Sequence, residues 1–232
     1  MLPVDTRILA DPEALASTAC RLIGDAAQEA IRQRGVFRLV LAGGTTPNRT
    51  YQRLATTRQQ WAAWEIYWGD ERCLPADHPQ RNSGQAQRAW LAEVPIPPGQ
   101  IHPIPAERGG AAAAAIYARL IGDRQPFDLV LLGMGEDGHT AGLFPGAADD
   151  SAAVIAVHAA PKPPAERVSL NYHTLRAGRR QLVLVSGGEK AAAVAAWQQG
   201  EQLPIARATS SHACLLLDAP AARSAGLATS LI

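Results

Sequence analysis

Apolar positions along the chain fall into two kinds of pattern that take turns. Leu15, Ala19, Leu22, Ile23, Ala26, Ala30 and Ile31 recur at steps of three and four, the stripe of an amphipathic helix. Asp11 supplies an N-cap, Pro12 a first helical residue and Gly35 a stop, so a helix is predicted from Pro12 to about Arg34. Short apolar runs over 38–42, 128–132, 181–185 and 213–217 read as strands buried on both faces. Trp64–Trp68 alternates and is rich in aromatics, and 154–157 and 167–170 complete the strand set. Further helices are predicted over about 48–55, 84–91 and 111–121, and from Ser186 to about Trp197. Thr140–Phe144 reads as about one helical turn, closed by Pro145-Gly146. Strands and helices alternate throughout. That argues for an α/β fold with a parallel or mostly parallel sheet and helices on both faces. Neither an internal repeat nor a domain linker is visible, so residues 1–232 are read as one domain.

Composition narrows the functional classes. The 232 residues are 47% hydrophobic, enough for a large core, with 22 basic against 21 acidic residues. A net charge of +1 gives no electrostatic case for nucleic acid or for an acidic membrane surface. Cys20, Cys73 and Cys214 are far apart and odd in number, as expected of reduced thiols in a cytoplasmic protein. No spacing of Cys or His points to a metal site. No signal-peptide layout or membrane-length apolar run is present, and an oligomeric state is not set by the sequence, which is compatible with a monomer.

Candidate chemistry collects where strands end. In an open α/β sheet, ligands sit at the carboxyl ends of the strands. The run 128–132 leads into Gly133, Gly135, Glu136, Asp137, Gly138 and His139, a glycine-rich loop in which Asp137 and His139 can turn toward one point. Residues 133–138 also fit G-x-G-x-x-G. A dinucleotide site needs a long following helix and an acid about 20 residues on. Here Pro145-Gly146 intervenes, and Asp149 and Asp150 come too soon. The strand at 38–42 ends in Gly43-Gly44-Thr45-Thr46-Pro47 before a helix. That is either an anion site built from backbone amides and a helix N-terminus, or a plain turn capped by Thr46. Asp70, Glu71 and Arg72 directly follow a buried strand, so they either pair with each other at the sheet edge or face a ligand. Residues 159–164 form a proline-containing loop, and Arg167 opens the next strand. Ser186 and Glu189 fit a capping box. Lys190 does not: a cation in a first helical turn opposes the dipole and points to an anionic ligand. Backbone amides, Lys190, Arg167 and Arg72 beside an Asp/His pair imply acid–base work on a phosphorylated small molecule.

Four blocks in this order, LAGGTTP (41–47), WGDERCLP (68–75), LLGMGEDGHTAGLFPG (131–146) and the ERVSL…GGEKA region (166–191), carry a resemblance. The chain resembles the 6-phosphogluconolactonases, in the wider family that includes glucosamine-6-phosphate isomerase/deaminase, over nearly its whole length. The resemblance implies a Rossmann-like sheet without a nucleotide, no metal or organic cofactor, and a small-molecule sugar-phosphate lactone as partner. It implies hydrolysis of 6-phospho-D-glucono-1,5-lactone, the second step of the pentose phosphate pathway. It places the family's active-site histidine on His139, its neighbouring acid on Asp137, its acid–arginine pair on Asp70 and Arg72, and its phosphate-site lysine on Lys190. Gly43, Gly44, Thr45 and Arg167 join Lys190 as expected substrate contacts. Members often read Ser-Asn where this chain has Arg81-Asn82, and the isomerases carry Tyr at the position of Arg72 and Glu at that of Phe144. A sugar-phosphate-binding regulator without turnover and a dinucleotide oxidoreductase are the other classes compatible with the residues.

Overall fold

A computed structural model describes residues 4–146 and 151–227; Asp149 and Asp150, the acids weighed against a dinucleotide site, lie outside them. In chain order the elements are β1 (Asp5–Leu9), α1 (Pro12–Arg34), β2 (Phe37–Leu41), α2 (Thr45–Leu54), β3 (Trp64–Trp68), β4 (Asp70–Arg72), α3 (Asn82–Ala86), α4 (Gly110–Ile121) and β5 (Leu129–Gly133). There follow β6 (Val154–Val157), β7 (Arg167–Leu170), α5 (Tyr172–Arg176), β8 (Gln181–Val185), α6 (Ala191–Gln198), α7 (Pro204–Ala208), β9 (Ala213–Asp218) and α8 (Ala219–Ser224). Six strands form one parallel sheet in the order β1-β9-β8-β5-β2-β3, flanked by helices. The expected α/β class and mostly parallel sheet are therefore present. A second sheet, β4-β7-β6, is antiparallel.

Helix α1 begins and ends as its sequence dictates. The Asp11 carboxylate accepts from the Ala14 amide at 2.8 Å, and Gly35, at φ 75°, donates its amide to the Ile31 carbonyl at 2.8 Å. Leu15 and Ile23 on its inner stripe are fully buried, which contributes roughly 1.5–3 kcal/mol each. At the start of β2 and β3, Phe37, Trp61, Trp64 and Trp90 form a buried aromatic cluster with ring centroids 4.8–5.9 Å apart. This packing fixes one end of the sheet and leaves the carboxyl ends of the strands for loops.

Strand order reverses between β2 and β5. From β2 the chain adds β3 on one side, then returns to place β5, β8 and β9 on the other. The loops after β2 and β5 therefore diverge, opening a crevice at the carboxyl ends of the strands.

Three local expectations change. Thr140–Phe144 is not a helical turn: Thr140 and Leu143 pair backbone to backbone, with Ala141 at φ 50° and the Gly142 amide bonded to the Ser169 hydroxyl at 3.0 Å. Helix α2 starts at Thr45 rather than near Asn48, with Gly44 as its uncapped N-cap residue. Pro47 then stands third, where an N–H has no intrahelical acceptor anyway. Ser186 caps no helix; its hydroxyl donates to Asp218 at 2.6 Å, and Gly187 precedes a short turn, Gly188–Lys190, that leads into α6.

Candidate active site

The crevice is a cavity of about 480 Å³, within the range of small-molecule sites. Its walls include Gly43, Gly44, Thr45, Asp70, Arg72, His139, Arg167 and Lys190. Eight of the nine expected site residues thus meet there; Asp137 stands directly behind His139.

Loop geometry explains this convergence. The β5 loop folds on itself: the Gly135 amide donates to the His139 carbonyl at 2.8 Å and the Gly138 amide to the Gly135 carbonyl at 3.1 Å. Gly138 sits at φ 76°, and the α7 amide of Ile205 donates to its carbonyl at 3.0 Å. A Cβ at Gly135 would collide with the His139 ring, so that position has room only for glycine. The fold holds His139 Nδ1 against Asp137 Oδ1. Burial raises the Asp137 pKa, but the hydrogen bonds from the His139 ring and backbone and the imidazole charge outweigh it, so the carboxyl lies below its usual value. An ionised carboxylate accepts only, so Nδ1 is the donor in this pair. Phe144 stacks on the imidazole with centroids 4.6 Å apart and limits its rotation.

The β2 loop presents the start of α2 to the same cavity. Tyr51 from that helix donates to the Ala42 carbonyl at 2.8 Å and accepts from its amide at 3.1 Å, which ties helix to strand end. Among the first-turn amides of α2, those of Thr45 and Thr46 lack intrahelical acceptors by geometry. A Cβ at Gly43 would strike the Asn82 amide group.

Strand alternation sorts the Asp70-Glu71-Arg72 triplet. Asp70 and Arg72 share one face and line the cavity, while Glu71 points away. Asp70 and Arg72 form no direct pair, so of the two alternatives open for the triplet these two residues take the one that faces the cavity. Asp70 accepts from Asn82 Nδ2 at 3.1 Å and faces Arg167 Nη1 at 3.9 Å, whereas Arg72 Nη1 donates to the Gln80 carbonyl at 2.6 Å. Burial holds the Asp70 pKa above the usual carboxylate value despite the charges of Arg72 and Arg167. Glu71, fully buried, accepts from the Asn82 and Ser83 amides at 2.8 and 2.9 Å and pairs with Arg81 at 3.1 Å. Arg81 also donates to the Leu74 and Ile104 carbonyls at 2.9 Å each. It is a structural cation at the base of this wall, not a group in the cavity.

Arg167 is buried between strand and loop. It donates to the carbonyls of Pro164, Lys162 and Pro163 at 3.2, 3.1 and 3.4 Å, and desolvation lowers its pKa. Lys190, mostly buried, has Glu136 at 3.6 Å and Glu189 at 3.9 Å, both beyond hydrogen-bond distance. Reasoning from sequence missed Asn82 and Lys162, which also line the cavity. Asn82 stood beside the flagged Arg81, but its partner Asp70 is twelve residues away, so no local pattern marks it. It missed too the clamp in which Asp218 accepts from Ser186 and Gly187 and holds the Lys190 turn.

A family model described as glucosamine-6-phosphate isomerases/6-phosphogluconolactonase matches residues 10–217. The chain belongs to this family. A 6-phosphogluconolactonase of Mycobacterium leprae is 36% identical, covering 95% of this chain and 98% of that protein. One of Streptomyces coelicolor is 37% identical, covering 91% of each. The crystal structure of 6-phosphogluconolactonase from Thermotoga maritima superposes with a TM-score of 0.87 at 25% identity, covering 93% of this chain and 99% of that one. That from Trypanosoma brucei gives 0.83 at 27% identity, covering 96% and 99%. These two lactonases share the fold of this chain. No helix among the described residues is long and apolar enough to cross a membrane.

Proposed function

We propose that this chain hydrolyses 6-phospho-D-glucono-1,5-lactone to 6-phospho-D-gluconate, with His139 as general base. The observation that carries the reading is one cavity holding a carboxylate-oriented imidazole opposite a lysine and a helix N-terminus. The curated relatives named as lactonases support it.

A δ-lactone is an activated ester, so neither a covalent nucleophile nor a metal is required. Water attacks C1 while His139 Nε2 takes its proton, and Asp137 stabilises the imidazolium that forms. Arg72, a fixed cation in the wall, faces the oxyanion that develops on the carbonyl oxygen. Asp70 holds Asn82 and faces Arg167, and so sets the wall behind the reacting carbon. Lys190, the amides of Gly44 and Thr45, the adjoining Gly43 turn and the inward edge of Arg167 bind the phosphate, so that remote binding energy positions C1.

The test is lactone disappearance near pH 6.5 against the spontaneous background, for wild type and His139→Ala. The substitution is expected to remove at least about 10²-fold of the rate, the general-base contribution, while circular dichroism stays native. Near-normal turnover by the variant would end the assignment of His139.

A further inference from the structure

Above the cavity, one carboxylate bridges two ammonium groups from opposite banks. Glu136 Oε1 lies 3.6 Å from Lys190 Nζ, and Oε2 lies 3.8 Å from Lys162 Nζ. Lys190 belongs to the turn before α6; Lys162 belongs to the loop between β6 and β7. Neither contact reaches hydrogen-bond distance, and Glu136 is 58% exposed. Loose pairs of this kind are worth about 0–1 kcal/mol and exchange readily.

The loop that carries Lys162 is braced rather than free. Arg167 binds the carbonyls of residues 162, 163 and 164. The Ala160 amide donates to the Ala165 carbonyl at 3.0 Å, and His158 bonds Glu166 at 2.9 Å. Pro161, Pro163 and Pro164 flank the lysine and restrict its backbone further. A cation is thus held over the cavity on a preorganised loop, which lowers the entropy lost when it binds.

We propose that Lys162 is a second phosphate ligand acting with Lys190, and that Glu136 occupies the place of the phosphate between the two ammonium groups until substrate displaces it. This inference rests on the phosphorylated-lactone reading above. The place between the two cations holds the single charge of Glu136, with Glu189 at the edge, 3.9 Å from Lys190. A phosphate dianion brings two charges and three oxygens to that place, so exchange favours it. In this reading Arg167 serves the phosphate mainly through the loop it pins.

The experiment compares wild type, Lys162→Met, Lys162→Arg, Glu136→Gln and the Lys162→Met/Glu136→Gln double variant. Each is assayed with the phosphorylated lactone, with unphosphorylated gluconolactone, and with inorganic phosphate as competing anion. Lys162→Met is expected to raise KM for the phosphorylated lactone about tenfold, the loss typical of one charge-assisted contact, and to lower the phosphorylated-to-unphosphorylated ratio of kcat/KM equally. Lys162→Arg should recover most of that ratio. Glu136→Gln should tighten inhibition by phosphate about fivefold, and less in the double variant. An unchanged ratio in Lys162→Met, or weaker phosphate inhibition in Glu136→Gln, overturns the inference. If wild type fails to open the phosphorylated lactone, the functional reading falls. The thermal shift with inorganic phosphate then decides Lys162 alone: a shift reduced in Lys162→Met supports the phosphate site, and an equal shift overturns it.

Discussion

Asp70 shows how one buried residue sets both chemistry and stability. Burial raises its pKa, and the neighbouring arginines only partly offset this. The folded state therefore keeps the proton to higher pH than the unfolded chain does. Ionisation then weakens the fold, so the contribution of Asp70 to stability is greatest at low pH and falls as pH rises above the ordinary carboxylate range. Asn at this position cannot ionise. Denaturant midpoints between pH 4 and 7 should show wild type gaining on Asp70→Asn as pH falls; the opposite trend would show that Arg167 and Arg72 dominate. Asp137 behaves in the reverse sense. Its lowered pKa keeps it ionised as pH falls toward the ordinary carboxylate range.

Elements act here through their ends. The β5 loop holds His139 because Gly135 leaves space for the ring. Gly135→Ala should displace the imidazole and lower kcat by up to about 10²-fold, the scale of a small misplacement, with little change in KM. Unaltered kcat would show that the loop shifts as a unit instead. At β9, buried Asp218 accepts from Ser186, from the Gly187 amide and, as cap of α8, from the Ala221 amide at 2.9 Å. Asp218→Ala loses a cap and strands buried donors, a destabilisation of roughly 2–4 kcal/mol by urea unfolding. Because the same clamp holds the turn bearing Lys190, KM for the phosphorylated lactone should rise in parallel. A loss under about 0.5 kcal/mol would remove the clamp from the account.

At the scale of the whole molecule, the proposed reading expects one of the two chemistries named in the family's description. Deamination of an amino sugar phosphate needs ring opening, proton transfer between C1 and C2, and loss of ammonia. That asks for a further acid–base group beside the histidine. By the resemblance drawn from the sequence, the isomerases carry Glu where this chain has Phe144, whose ring stacks on His139 and has no proton to give. Arg72 brings a permanent charge to the other side of the cavity. Incubation with glucosamine 6-phosphate is therefore expected to release no enzyme-dependent ammonia under conditions where the lactone is opened. Ammonia release at a comparable rate would overturn this division.

Local pattern placed β3, β6, β7 and β8 and both ends of α1, because each depends on alternation, a short apolar run or a cap within a few residues. Glycines after strands marked the loops of the site for the same local reason: they permit turns and close approach. The antiparallel β4-β7-β6 sheet, the edge strand β1 and the short helices α5, α7 and α8 depended on tertiary context. Three residues of β4 and the half-exposed strand β1 carry too little pattern to stand out. Partnership was also decided in three dimensions. Thr140 pairs with Leu143 because Ser169 fixes the turn from another strand, and Ser186 meets Asp218 across 32 residues. Arg81 neutralises Glu71 inside the wall, whereas Arg167 faces Asp70 and pins the loop of Lys162. Long-range pairs like these are set by which strands the sheet makes neighbours, and no window along the chain contains both partners.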